Sequence, residues 1–231
     1  MYLRDITLGA DLSVGERQHR GIVAEFALNA HCIADMYRTL LDRKLVTPDT
    51  AKVCVSVTDA LEGNPTTSDV QQWINVAMVP WGFDFRVFDA SSGLARKRLL
   101  LDALHHALIW LAEVRGWNGA PLGVTYQRCL ERRIKHSGML EKKSWPTHDR
   151  KHRLKLFFDF ELETVELWAV LFCRGGDELV RKPLARVRAH ANAIDALVGE
   201  GRWVSPTQFR LHARSVEYWE TEWTCDFSNV L

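Results

Sequence analysis

The stretch from His152 to Leu179, "HRLKLFFDFELETVELWAVLFCRGGDEL", decides the fold. "HRLKLFFDFELE" and "TVELWAVLFC" are rich in aromatic and branched residues, and "RGGD" supplies a hairpin turn before "DELVRKPLARVRA". Strands joined by tight turns make an antiparallel sheet. Pro183 cannot donate to a ladder, so the third strand belongs at an edge or a bulge. Downstream, "GRWV", "TQFRLHARS" and "EYWETEW" read as further strands, and "HANAIDALVGEG" as a short helix or turn between them.

The first half has a different grammar. "SVGE", Ser13 to Glu16, has the form of a capping box. Ile22, Phe26, Ala30, Ile33, Tyr37, Leu40, Leu41 and Leu45 follow at helical spacing, which predicts one long N-terminal helix with Gly21 as its weak point. "AKVCVSV", "QQWINVAMV" and "FDFRVF" read as three strands, the last because Phe83, Phe85 and Val87 alternate with Asp84 and Arg86. "DASSG" caps a helix before Leu94, Gly116 ends it, and Pro121 opens a second helix running to about His136. These two helices should form a central hairpin. The reading is an α+β fold, with antiparallel sheet and the helices gathered mainly on one side. We expect a single domain over residues 1–231, with the one place for a lobe boundary near residue 138.

Composition narrows the class. The 231 residues are 47% hydrophobic and 26% charged, enough to bury a large core. No cleavable apolar segment follows "MYLRDITLGADLS", and the longest apolar run, "LWAVLFC", is far short of the roughly 20 residues that span a bilayer. Cys32, Cys54, Cys129, Cys173 and Cys225 are odd in number and include no CxxC pair, so reduced thiols in a cytoplasm are expected.

Within "LLLDALHHALIWLAEVRGW", Leu99 to Trp117, the apolar residues cover roughly 200° of the helix circumference. Asp102, His105 and His106 fall outside that arc or on its border. They could serve a hydrolase, with Asp102 orienting a histidine, or hold a metal, yet a metal needs a third ligand that no motif announces. Polar contacts on the helix surface are the preferred reading, and no metal or cofactor is expected. "HDRKH", His148 to His152, has zincin spacing but lacks the glutamate, and Pro146 suggests a loop. Ser91, Ser92 and Ser205 lie in turn contexts without a GxSxG elbow, His31–Cys32 sits within a helix, and no phosphate-binding loop is present.

Charge is sorted along the chain. Arg128 to Lys155 carries ten Lys and Arg against three acids, hence +7, and with a net charge of +1 the remainder carries −6. Arg132, Arg133, Lys142, Lys143, Arg150 and Lys151 could contact phosphates, making nucleic acid a second alternative. The terminal "SVEYWETEWTCDFSNVL" instead sets Glu217, Glu220 and Glu222 among Trp219 and Trp223, the composition of an anchor ringed by carboxylates for a protein with a basic site. A protein partner is expected in preference to nucleic acid.

Finally, "RKRLLLDALHHALIWLAEVRGWNGAPLGVTYQRCLERR" followed by "LKLFFDFELETVELWAVLFCRGGDEL" resembles bacterial proteins similar to the immunity proteins of polymorphic toxin systems. The Leu-Asp-x-x-His helix, the Gly-Trp after it, the helix containing Tyr126 and the aromatic hairpin carry the likeness, over about residues 95 to 180. The resemblance implies a non-enzymatic protein of the bacterial cytoplasm that binds and neutralises a cognate toxin. It supplies no catalytic residues.

Overall fold

The computed structural model describes residues 1–10, 20–41, 44–61, 65–214 and 222–231, with the side chains of Arg20 and Lys142 left aside. The fold is α+β, and the chain divides into two compact units, Met1–Lys135 and His136–Leu231.

The first unit is built on a four-stranded sheet of β1 (Asp5–Ala10), β2 (Lys52–Thr58), β4 (Val76–Gly82) and β3 (Gln71–Trp73), in that spatial order. β1, β2 and β4 run parallel and only β3 is antiparallel, so the expectation of purely antiparallel sheet fails here. Parallel neighbours need a long connection, and α1 (Arg20–Leu41) supplies it between β1 and β2. Residues of alternate parity line opposite faces. Ile6, Val53 and Ala77 form one buried cross-strand row and Leu8, Val55 and Val79 the next. These rows meet the helices. The other face carries Thr7, Cys54 and Met78, which are only partly covered.

The N-terminal helix ends before its apolar periodicity does. It spans 22 residues and ends at Leu41, while Leu45 is buried beyond it and accepts a hydrogen bond from the Leu3 amide. The capping box at Ser13 and Glu16 lies outside the described residues. "FDFRVF" is a further correction, since Phe85–Ala90 is helix α2. The Asp84 carboxylate accepts hydrogen bonds from the Arg86 and Val87 amides, 2.9 and 3.3 Å away, which starts a helical turn. Phe83, Phe85 and Phe88 then gather around Phe26 of α1 at ring separations of 5.0 to 5.6 Å. α3 (Gly93–Arg115) begins after Ser92 and stops at Gly116, whose φ of 66° suits a glycine cap. α4 (Ala120–Glu131) returns alongside α3 as the expected hairpin, though it ends before His136.

The second unit holds the antiparallel meander β5 (His136–Pro146), β6 (His152–Phe160), β7 (Thr164–Cys173) and β8 (Glu178–Arg188). Leu154, Leu156, Phe158 and Phe160 face Leu171, Ala169, Leu167 and Val165 across β6 and β7, and all are buried. Pro183 lies on the edge strand and beside a bulge, because Leu167 pairs Ala185 while Trp168 pairs Pro183. β5 has a wider irregularity. Its residues 140–143 stand between the pairs Met139–Phe157 and Ser144–Lys155, with only Leu156 opposite. After α5 (Ala193–Leu197), strands β9 (Gly201–Trp203), β10 (Gln208–His212) and β11 (Glu222–Asp226) form a three-stranded antiparallel sheet. Phe209 and Leu211 pair Cys225 and Trp223 there, and Trp145 and Trp203 pack on Phe209 at 5.1 and 5.7 Å. A Cβ at Gly201 would come within 2.7 Å of the Phe209 and Trp145 rings, so the backbone approaches them as only glycine allows.

Candidate functional site

The residues singled out on α3 take part in a polar cluster that joins three helices of the first unit. Arg98 lies one turn before Asp102, and its Nε is 2.8 and 2.9 Å from the two carboxylate oxygens. From α4, the Tyr126 hydroxyl donates to Asp102 at 2.7 Å and accepts from Arg98 Nη2 at 2.6 Å. The Tyr126 ring also stacks on His105, with centroids 4.1 Å apart and planes inclined by 16°. From α1, Tyr37 Oη lies 2.9 Å from His105 Nδ1 and 3.1 Å from the Leu122 carbonyl oxygen.

This geometry assigns the protons. A phenol has one proton to donate, and the Leu122 carbonyl can only accept. Tyr37 therefore gives its proton to Leu122 and accepts from His105 Nδ1–H, which leaves Nε2 as the unprotonated nitrogen. His105 is only 9% exposed. Burial, aided by the neighbouring His106, lowers its pKa to about 4 against the opposing pull of Asp102, so the ring is neutral at pH 7. Burial likewise raises Tyr37 well above the ordinary phenol value and pushes the Cys129 thiol up to about 12.

The cluster ties α1, α3 and α4 together through side-chain hydrogen bonds. The hydrolase reading requires Asp102 to orient a histidine, but the carboxylate is engaged by Arg98 and Tyr126. Tyr37 and Cys129 are the hydroxyl and thiol in its buried part, and burial holds the proton on both. His105 itself is inside, a correction to its expected place on the helix border, while His106 is exposed. Among the described residues, no group of three or more His, Cys, Asp or Glu side chains could hold a metal. Arg98 was not singled out in the sequence, although its i,i+4 spacing from Asp102 is the signal that could have found it. Tyr37 was legible only as an apolar-face residue of α1, and nothing local tied it to α3.

The other sequence-derived candidates are dispersed. Glu217, Trp219 and Glu220 lie outside the described residues. Trp223, expected as an anchor for a partner, is 7% exposed and packs within the three-stranded sheet. Its neighbour Glu222 faces outward and pairs with Arg210 at 3.0 Å and His212 at 3.3 Å. Of the basic residues, Arg132 and Arg133 follow α4 in the first unit, whereas Lys142 and Lys143 lie on β5 and Arg150 and Lys151 on the β5–β6 turn. Lys143 reaches the Gly199 carbonyl at 3.4 Å. The "HDRKH" segment forms that turn, not a zincin helix. No disulfide joins the five cysteines, and among the described residues no helix is long and apolar enough to cross a membrane.

A feature that the strand reading of "QQWINVAMV" did not contain stands at the β3–β4 turn. Trp73 pairs with Val76, leaving Ile74 and Asn75 as a two-residue loop. Ile74 has a φ of 52° and is 96% exposed, beside a Trp73 that is 69% exposed. Positive φ at the first loop position alone is the type II′ pattern, a position that favours glycine, and a β-branched residue there is strained. Met78, 41% exposed, extends the apolar surface along β4. Gln72 braces the loop by donating to the Ile74 carbonyl at 3.1 Å. No protein-family model, curated protein or solved structure matches the chain.

Proposed function

We propose that this chain is a non-enzymatic binding protein of the immunity type, which occupies and neutralises a cognate toxin in the bacterial cytoplasm. The observation that carries the binding reading is the Trp73–Ile74 turn. An exposed aromatic beside an exposed aliphatic residue, held on a sheet at a cost in backbone strain, has the make-up of an interface anchor. The toxin as partner comes from the resemblance over residues 95 to 180. The self-satisfied polar cluster on α3 supports the non-enzymatic half of the proposal, because its carboxylate, phenols and thiol are engaged or hold their protons tightly.

The test begins with the adjoining gene, since immunity genes normally neighbour their toxin genes. Its product should bind this chain in calorimetry and lose its toxicity when the two are co-expressed. Trp73→Ala should weaken that binding by on the order of 2 kcal/mol without lowering the melting temperature of the free protein. A neighbour that neither binds nor harms cells would overturn the proposal.

A further inference from the structure

The meander of the second unit sorts charge along its strands. His152 pairs Cys173 across β6 and β7, so the β5–β6 turn and the β7–β8 turn lie at the same end of the sheet. That end presents Arg150 and Lys151 from one turn, Arg153 from the start of β6 and Arg174 from the other turn, all exposed. Among the described residues none of the four enters an ion pair. Of the carboxylates nearby, Glu178 is neutralised by Arg181, whereas Asp149 is held by its own turn and keeps its charge. Asp149 is bound by the Thr147 hydroxyl at 2.7 Å and the Lys151 amide at 3.0 Å, and Glu178 is bound by Arg181 at 2.9 and 3.1 Å. Asp177 lies 3.8 Å from the Cys173 sulfur.

The turns are also well fixed. Thr147 is buried, its amide donates to the His152 carbonyl at 3.0 Å, and its hydroxyl accepts from the His152 amide at 3.1 Å. The Arg150 amide closes the loop onto the Thr147 carbonyl at 2.9 Å, and Arg150 adopts a φ of 57°. Two strand spacings separate the turns, about 10 Å, which is the axial rise of about three base pairs of a duplex.

We propose that these two turns form a nucleic-acid contact, in which Arg150, Lys151, Arg153 and Arg174 meet successive phosphates of a duplex without reading its sequence. Charge complementarity selects the partner. Neither turn, residues 147–151 or 174–177, carries an apolar side chain, whereas a protein interface has an apolar core in which charge is depleted. A phosphate backbone needs only cations and hydrogen-bond donors. The inference stands apart from the toxin-binding reading, which uses the other unit.

The experiment is fluorescence anisotropy of the whole chain with a labelled duplex of mixed sequence, titrated between about 50 and about 200 mM salt. The expected logarithmic slope of affinity against salt is about −3 to −4, for four phosphates released at roughly 0.9 each. Arg150→Gly with Lys151→Ala should reduce that slope by about 2 and weaken binding on the order of tenfold at low salt. Glycine accommodates the backbone at position 150, and Arg174→Ala on the other turn should independently reduce the slope by about 1. Arg132→Ala with Arg133→Ala should leave binding unchanged. Absence of duplex binding at low salt, undiminished binding in both turn variants, loss in the Arg132 and Arg133 variant instead, or equal competition by polyglutamate would each overturn the assignment.

Discussion

Tyr37 Oη lies 2.9 Å from His105 Nδ1, and because its one proton is given to the Leu122 carbonyl, this phenol on α1 fixes the tautomer of an imidazole on α3. Tyr37→Phe would leave the buried His105 N–H without its partner and remove the second donor to the Leu122 carbonyl. It should cost about 1–3 kcal/mol in denaturant unfolding, with little change in packing. A loss of only a few tenths would mean that neither hydrogen bond forms in solution.

The same histidine makes stability depend on pH. His105 titrates at about 4 in the folded chain against 6.5 for a free side chain, so its folded pKa is depressed. Between those values the unfolded chain binds more protons, and stability rises with pH. The contribution is fully present above 6.5 and drains away as acidification proceeds through the window toward 4. With a discount for the water that still reaches the ring, the change should be on the order of 2 kcal/mol. Unfolding curves collected across that range should show it, and His105→Gln should flatten the profile there.

Ile74→Gly separates strain from recognition. Relief of a left-handed β-branched residue gains about 1–2 kcal/mol, offset by about 0.5–1 from the greater freedom of glycine in the unfolded chain. The free protein should therefore melt at the same temperature or slightly higher, while affinity for the proposed partner falls. Unchanged affinity would remove Ile74 from the interface.

In the second unit, Gly201→Ala should destabilise by about 1–3 kcal/mol, because the added methyl lands on the Phe209 and Trp145 rings at 2.7 Å. Trp223→Ala should cost about 3–5 kcal/mol as a core truncation. Glu222→Lys, on the outward side of the same strand, should cost less than 1 kcal/mol. Thermal melts of the three variants rank them directly.

What could be read from sequence was what repeats locally. The start of α3 after "DASSG", its glycine stop at Gly116, the strands β6 and β7 and the position of Pro183 each depend on neighbours a few residues away, and each appears in the structure, though the Ser92 side chain makes no capping hydrogen bond. β1 escaped notice because Ile6 and Leu8 alone mark its face and its partner Val53 is distant in the chain. β5 escaped because residues 140–143 break the alternation. Phe83, Phe85 and Val87 misled because an aromatic cluster and an Asp84 cap outweigh a period-two pattern. On α3, the i,i+4 spacing of Arg98 and Asp102 carried the one local signal of the cluster, and it went unread. Tyr126, the partner of Asp102, and Tyr37, the partner of His105, arrive from other helices and leave no trace beside α3.

The breaks in register at the two borders of the meander have a bearing on how the protein behaves at high concentration. An open strand border offers a row of amides and carbonyls on which another chain can nucleate a fibril. Here the β5 border is interrupted at residues 140–143 and the β8 border at Pro183, so neither presents an uninterrupted template. A sequence as aromatic and β-prone as "LKLFFDFELETVELWAVLF" is thus kept in the two inner strands, where each already has a neighbour on both sides. Pro183→Val would restore an amide to the β8 border, and seeded aggregation should then begin sooner than in the parent chain.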